Sequence, residues 1–565
     1  MLDFLKNDRS WRVDLTILGL VFAVLFAIGL GNYPLQVPDE ARYSEIPREM
    51  VLSGDYVTPR LNGVKYFEKP PLFYWLQASA IKAFGLNEWS LRFWVACLGV
   101  IGCLATYAAG RQLFGRQTGV IAAGVLATSV LYFVMAHTIT LDMAVSVLMS
   151  AALLSFLCAQ STTLSGKQRW LLYMVFYIFC ALSVLTKGLM GLVLPGAIIF
   201  LWMVLTKRWV ILKQMHLIQG ILLFLLVAAP WHILAQIRNP EFTQFYIVEQ
   251  QFLRYLTDYA NRYQPAWFFI PILLMGFFPW SCFIWQLIKQ GWNKIKAPQT
   301  YPQEAFLIIW IVFIFVFFSV SKSKLVPYIL PVFPALALLF AQYVVESFKN
   351  NLTINLRKPF LFYMGLAAAG VVGLVVAPLF ISAHVPHADI IPRLLYVLAV
   401  LMAVSGGLVW WFVQKRQQLS KALLVLALTG VAGCWVAMWA WPSLNDKSTK
   451  TLALQLLPHL KHGDVVAVYD AYYQDLPVYL DRTITVVHPK GELEWGTQQE
   501  DTSAWMMSKP DFWQQWKKQE HTMYMISYTK DLKGILNLSD TLYIIDTQGR
   551  YFIASNKPTD IELTQ

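Results

Sequence analysis

The sequence predicts an all-α polytopic membrane protein of about thirteen transmembrane helices, with amphipathic loop helices on one membrane face and a small C-terminal α/β domain. Three observations carry this prediction. The chain is 57% hydrophobic and only 14% charged, with a mean hydropathy of +0.50, whereas a soluble globular chain carries about 25% charge. Its apolar residues collect into stretches of about 18 to 24 residues, the length that crosses roughly 30 Å of hydrocarbon. Lys and Arg gather in alternate connections between those stretches, the mark of cytoplasmic loops.

The expected spans lie near 12–31, 89–110, 118–136, 142–160, 170–186, 188–206, 216–234, 265–288, 304–321, 325–345, 359–382, 393–413 and 421–441. The first follows Lys6, Arg9 and Arg12 but is too long for a signal-peptide core and has no small-x-small cleavage site, so it reads as a retained helix. The basic connections are Arg111/Arg116, Lys167/Arg169, Lys207/Arg208/Lys213, Lys289/Lys294/Lys296, Lys349/Arg357/Lys358 and Lys415/Arg416/Lys421. With these in the cytoplasm, an odd number of spans leaves the tail from Pro442 outside. The net charge of +12 is then a topological and anionic-lipid signal; no soluble basic face with interleaved aromatics speaks for nucleic acid. All six cysteines fall inside apolar spans without metal-type spacing and read as packing residues.

Two external loops are long, about 32–88 and 235–264. In the first, Tyr43, Ile46, Pro47 and Met50 recur at i, i+3, i+4 and i+7. This predicts a short amphipathic helix lying in the membrane interface and ending at Ser53-Gly54. In the second, Phe242, Phe245, Tyr246, Phe252 and Tyr255 form a similar stripe. The chain therefore divides into a transmembrane domain, 1–441, and a C-terminal domain, 442–565, that could stand alone. Strands are expected at 465–469, 483–487, 523–526 and 542–545, with a helix over Thr449–Leu460.

Chemically suggestive residues fall on the external side. Asp39 follows span one in Pro38-Asp39-Glu40-Ala41-Arg42-Tyr43, where it reads either as a helix cap or as a carboxylate held at the bilayer surface. Asp142 opens span four, as a dipole-favoured first-turn charge or as part of a polar site. His137 just before it reads as a hydrogen-bonded interfacial histidine. Lys187, Lys322 and Lys324 occupy very short external loops against the positive-inside trend; they either snorkel to lipid phosphate or hold an anionic ligand. Arg254 and Arg262 add two more cations. Acids and bases on one leaflet, with neither GxxxxGK[ST] nor GxGxxG, suggest a lipid-phosphate substrate rather than a nucleotide.

On Pro38-Asp39-Glu40-Ala41-Arg42-Tyr43, Ser53-Gly54-Asp55, Tyr66-Phe67-Glu68-Lys69-Pro70, Leu141-Asp142, Leu185-Thr186-Lys187-Gly188, Pro230-Trp231, Lys324-Leu325 with Tyr328, and Gly491-Glu492-Leu493, the whole chain resembles a known family. These are the polytopic lipid-phosphate-sugar-dependent glycosyltransferases of the GT-C type. Within them it is most similar to the bacterial arabinosyltransferases that move 4-amino-4-deoxy-L-arabinose from undecaprenyl phosphate to lipid A. Protein O-mannosyltransferases are more distant relatives. The resemblance implies a multi-pass protein of the bacterial inner membrane with a periplasmic active site and C-terminal domain. Its partners would be an undecaprenyl-phosphate-linked sugar donor, a lipid A or other glycolipid acceptor, and membrane lipids.

The resemblance also implies roles. Asp39 and Asp142 would be catalytic. Lys69, Lys187, Arg254, Tyr328 and Lys324 would bind substrate phosphates. Arg42, Tyr43, Tyr66 and Glu68 would line the substrate pocket. Relatives pair a Glu matching Glu68 with a His near the second-loop arginine as a divalent-metal site. This chain reads Glu249-Gln250-Gln251-Phe252-Leu253-Arg254 there, with no His and one extra residue, and Gln is a poor zinc ligand. No other cofactor is implied. The motifs leave open a different sugar, such as mannose or galacturonic acid, and a core oligosaccharide, other glycan or protein acceptor. A lipid or polysaccharide transporter fits less well, because repeats and midplane polar sites are absent.

Overall fold

A computed structural model describes residues 10–253, 263–381, 387, 389–445, 447–538 and 541–559. The chain folds into two compact units: Met1–Leu30 with Phe93–Trp441, and Gly31–Arg92 with Pro442–Gln565.

In the first unit, helices α1 (Trp11–Ala27), α4 (Glu88–Phe114), α5 (Arg116–Ala127), α6 (Val130–Met135), α7 (Leu141–Ala159), α8 (Gly166–Lys187), α9 (Met190–Thr206) and α10 (Leu217–Arg238) follow in order. After a π-helical segment, Gln244–Leu253, come α11 (Phe269–Gly276), α12 (Ile284–Ile295), α13 (Pro302–Val320), α14 (Phe333–Lys349), α15 (Ile354–Val376), α16 (Ile390–Trp410) and α17 (Leu419–Leu444). Every expected span has a helical counterpart. Among the described residues, nine helices are long and apolar enough to cross a membrane unbroken.

The other four expected spans differ for local reasons. α1 and α9 stop at 17 residues each. The segment 118–136 breaks between α5 and α6, where the Thr128 and Ser129 hydroxyls donate back to the Gly124 and Val125 carbonyls and compete with the helix ladder. The segment 265–288 bends by 108° at Phe277-Phe278-Pro279, because proline has no N–H to continue a helix and restricts the residue before it. Past that bend α12 is amphipathic, with Trp285, Ile288 and Trp292 exposed on one face.

The second unit begins with α2 (Asp39–Ser53), whose last turn closes on Gly54 at φ 72°, a left-handed cap that glycine adopts at little cost. A hairpin of β1 (Arg60–Leu61) and β2 (Val64–Lys65) and helix α3 (Leu72–Phe84) follow. The tail contributes α18 (Lys450–Leu456), β3 (Val465–Tyr469), β4 (Thr485–Val487), β5 (Met506–Met507), α19 (Lys509–Lys518), β6 (Met523–Tyr528), β7 (Tyr543–Gln548) and β8 (Tyr551–Ser555). The strand order is β5-β4-β3-β6-β8-β7, parallel from β5 to β6 and antiparallel beyond. Side chains alternate across β3. Ala467 and Tyr469 pack with Phe512 and Trp516 of α19.

Val466 and Val468 point the other way, into a core with Ile46, Met50, Leu61, Val64, Tyr66 and Tyr74 from the first loop. This corrects two expectations. The tail does not fill both faces of its sheet alone, since residues 31–92 share one side with Leu452, Leu456, Leu476 and Leu480 of the tail. The apolar stripe of α2 does not lie bare in a membrane interface either; Ile46 and Met50 are in that core, and the charged Glu40, Arg42, Glu45, Arg48 and Glu49 are buried too. Asn62 fastens the arrangement: its side-chain amide donates to the Ile484 carbonyl at 2.9 Å and accepts from the Ile484 N–H at 3.0 Å.

Candidate active site

The residues singled out in the sequence fall into two sets, one in each unit. In the first unit, α7 and α8 are joined by a short connection that opens α8 with a Ser165/Gln168 capping box. The chain therefore turns back, and the first turn of α7 meets the last turn of α8. Asp142 and Lys187 form an ion pair there, both side chains nearly buried at 13% and 12% exposure. A carboxylate at a helix start and an ammonium at a helix end are each favoured by the helix dipole. The Lys187 ammonium also sits 4.5 Å above the Tyr328 ring. His137 bonds the Phe133 carbonyl through Nδ1 at 2.8 Å and stacks on Phe133, the bland role expected of it.

Lys324 is buried and donates to the carbonyls of Gln264 (2.8 Å) and Ser321 (2.5 Å). One of its three donors thus fastens its own loop and another ties that loop to Gln264, ahead of α11. Lys322 is exposed. In the second long loop, Phe242 and Tyr246 stack on each other beside Trp231. Arg254, Tyr255 and Arg262 lie outside the described residues.

In the second unit the site is built on α2. Its N-cap is Pro38 and no side chain caps it, so Asp39 is not the capping residue. Asp39 instead pairs with Arg42 one turn on, and its side chain keeps 46% exposure. Arg42 is buried, and its other terminal nitrogen meets the Glu492 carboxylate at 2.6 Å. The Tyr66 hydroxyl accepts from Arg42 at 3.4 Å, and the Tyr43 ring lies 5.3 Å from the guanidinium. Burial works against the Arg42 charge, but Tyr66, Glu492, Tyr43 and Asp39 outweigh it and hold the guanidinium firmly protonated. Burial raises the Glu492 carboxyl above its ordinary range against the pull of Arg42. It also pushes up the Tyr66 and Tyr74 hydroxyls.

Lys69 is buried beside this set and donates to the Glu68 carbonyl at 2.8 Å. The residues present do not fit a divalent metal at Glu68. A lysine ammonium occupies the neighbourhood, and among the described residues no three His, Cys, Asp or Glu side chains are grouped so as to hold a metal ion.

Glu492 and Gln474 were given no role from sequence. The structure brings Gln474 Nε2 within 2.5 Å of Glu492 Oε1, and Glu492 onto Arg42. Glu492 stands in the Gly491-Glu492-Leu493 stretch that helped carry the resemblance, and the topology of the sheet explains its place. β3 has β4 on one side and β6 on the other, so chain order reverses at β3, and ligands of open parallel sheets gather at the carboxyl ends of strands flanking such a point. Gln474 follows the carboxyl end of β3, and Glu492 that of β4.

Comparison with known proteins agrees with this geometry. A family model described as dolichyl-phosphate-mannose-protein mannosyltransferase matches residues 68–234, and one described as aminoarabinose transferase C-terminal domain matches residues 452–536. An undecaprenyl phosphate-alpha-4-amino-4-deoxy-L-arabinose arabinosyl transferase of Pectobacterium atrosepticum is 28% identical over 507 residues, covering 87% of this chain and 88% of its own. The enzyme of the same description from Enterobacter sp. (strain 638) is 30% identical, over 80% of this chain and 77% of its own. The chain belongs to this arabinosyltransferase family. A solved arabinosyltransferase structure, ArnT from Cupriavidus metallidurans bound to undecaprenyl phosphate, superposes with a TM-score of 0.86 at 28% identity, over 98% of this chain and 100% of that one. An archaeal oligosaccharyltransferase from Archaeoglobus fulgidus, 14% identical with a TM-score of 0.51, shares the fold. The protein is accordingly a multi-pass membrane transferase of GT-C fold.

Proposed function

We propose that this protein is an inverting glycosyltransferase that moves 4-amino-4-deoxy-L-arabinose from undecaprenyl phosphate to a phosphate of lipid A, on the periplasmic face of a bacterial inner membrane. The observation that carries the reading is the likeness to arabinosyltransferases along nearly the whole chain, together with the Asp39–Arg42–Glu492 set built from both ends of the sequence. The alternating basic connections support the orientation. The transmembrane domain is 1–441 and the C-terminal domain 442–565, with the loop 31–92 completing the latter's core.

In the transfer, the anomeric C–O bond to the carrier phosphate breaks as an acceptor phosphate oxygen bonds to the opposite face of the sugar. Undecaprenyl phosphate leaves with the electron pair. Cations held ready for that departing charge supply the dominant stabilisation. Lys187 fits this task, because a phosphate can take over its ammonium from Asp142; Tyr328 keeps the ammonium in place meanwhile. Lys69, Lys324 and Arg254 are the other phosphate ligands in this reading. A lipid A phosphate is already anionic and needs no base, so Asp39 acts on the sugar: with Glu492 and Glu68 it faces the positive ammonium, while Tyr43 and Tyr66 flank it. The match to the mannosyltransferase model over residues 68–234 favours one second reading, a hydroxyl acceptor with Asp39 as general base.

Lipid A from cells with and without this chain separates the two. The proposal expects a phosphate-linked aminoarabinose mass increment that vanishes in the deletion. Unchanged lipid A overturns that acceptor assignment.

A further inference from the structure

A second polar site lies at the far end of α14. α14 starts just after Tyr328 and runs 17 residues to Lys349, which at about 1.5 Å per residue takes it most of the way across a bilayer. Its far end, with α12 and the start of α15, walls a cavity of about 350 Å³, within the size range of small-ligand sites. Lys289 and Asn293 enter from α12, Glu346 from α14, and Asn350, Asn355 and Lys358 from the turn into α15 and its first residues.

The charges there are unevenly spent. Glu346 is engaged by Lys294 at 3.0 Å, by Gln290 at 2.6 Å and by Gln342 at 3.0 Å, and Lys294 also reaches Glu304 at 3.1 Å. Neither Lys289 nor Lys358 has an ion-pair partner among the described residues. The start of α15, a 23-residue helix, adds the partial positive charge of its N-terminus. Gln286 also lines the cavity, and its Oε1 is buried without a hydrogen-bond donor, a costly state that a hydroxyl-bearing ligand relieves. At the mouth, Trp285 and Leu352 are 71% and 48% exposed, and Ile354, next in sequence to the lining Asn355, is 67% exposed. Tryptophans favour the depth of lipid headgroups.

We propose that this cavity binds the headgroup of an anionic glycerophospholipid of the phosphatidylglycerol class. Its phosphate lies between Lys289 and Lys358, its glycerol hydroxyls face Gln286 and the asparagine amides, and its acyl chains run out past Trp285, Leu352 and Ile354. A basic pocket between spans is a recognised kind of lipid site, and nothing in the sugar-transfer reaction calls for this one. The proposal therefore stands or falls separately from the proposed reaction.

The test uses the full chain purified in mild detergent and native mass spectrometry after exposure to phosphatidylglycerol or to phosphatidylcholine with the same acyl chains. One phosphatidylglycerol should be retained per chain in preference to phosphatidylcholine. K289Q/K358Q should weaken retention about thirtyfold, since each lysine near an anionic lipid contributes about 1 kcal/mol. K289R/K358R, which keeps both charges, should retain the lipid, and K207Q/K213Q in another basic connection should behave as the parent. Equal retention of the two lipids, or undiminished retention by K289Q/K358Q, overturns the proposal. So does glycerol 3-phosphate raising the thermal midpoint as much as the lipid does, because the ligand is then a soluble phosphate.

Discussion

Replacing Glu492 by Gln tests whether the C-terminal domain takes part in the chemistry. The change keeps the side chain's shape and an oxygen for Gln474, but it removes the charge that meets Arg42 at 2.6 Å. A hydrogen bond to a charged group contributes about 1.5–3 kcal/mol, and a charge-assisted bond is roughly twice as strong as a neutral one. Glu492→Gln should therefore lose half of that, about 0.75–1.5 kcal/mol of site organisation, or about four- to twelvefold in kcat/KM. Glu492→Ala, which loses the whole contact, should lower it by about 10- to 150-fold. The assay is transfer from the lipid-linked aminosugar to lipid A by the reconstituted full chain, with the product quantified by mass spectrometry and the thermal midpoint followed alongside. If Glu492 works by holding Arg42, then Arg42→Lys with Glu492→Gln should be little worse than the poorer single variant. Parental kcat/KM in Glu492→Gln, or a loss that merely tracks the amount of folded protein, would refute the argument.

Asp142 and Lys187 should be coupled: Asp142→Asn and Lys187→Met each strand a nearly buried charge, a loss of about 3–5 kcal/mol. Each single variant should melt lower than the double, while all three lose transfer activity. Asp475 is fully buried and its carboxyl is pushed up to about 6, burial outweighing the bonds from Thr449 and Ser448. A raised carboxyl stabilises the fold below its unfolded value and loses that contribution as pH climbs through about 6, roughly 3 kcal/mol for a shift of about two units. Hydrogen-exchange protection in residues 447–538, taken relative to the intrinsic rate at each pH, should accordingly be greater at pH 5 than at pH 7.5, and Asp475→Asn should flatten that dependence. Gly496 leaves no room for a side chain, since a Cβ there would meet the Lys65 carbonyl oxygen at 2.5 Å. Gly496→Ala should cost about 1–3 kcal/mol, read as faster proteolysis of the tail; unchanged proteolysis would contradict the packing.

Much of this protein was legible in its sequence because hydrophobic length and charge placement are local signals. Each of the thirteen expected spans is helical, and Asp142 and Lys187 were visible as charges stranded at span ends. That they pair is a consequence of two neighbouring helices turning back on each other, which a short connection nearly dictates. The breaks at Thr128-Ser129 and Phe278-Pro279 were harder to see, since an apolar run looks the same whether straight or bent. β5 and β8 escaped notice for other reasons: the first is two residues long, and the second is buried at every position and shows no alternation. Long-range partners were the least legible. Nothing near Arg42 announces Glu492, 450 positions away, and the stripe on α2 looks the same whether it faces lipid or a β-sheet. The Gly491-Glu492-Leu493 stretch marked that edge of the tail without saying what it meets, and the reversal of chain order at β3 is visible only in the fold.

That distance has a consequence for how the protein comes into being. Asn62 meets Ile484, Arg60 meets Glu500, and the Trp505 indole N–H reaches the Asn62 carbonyl across 443 positions. During translation the loop carrying Asp39 and Arg42 emerges early, while its partners wait on nearly all the remaining chain. Contacts so remote in sequence are slow to form, and until they form the loop exposes surfaces that invite misassembly. A ribosome that stalls anywhere before the tail thus leaves behind a set of spans and a first loop whose α2 still lacks its partners from the tail. The core shared by the first loop and the tail can close only once the final strands have been made.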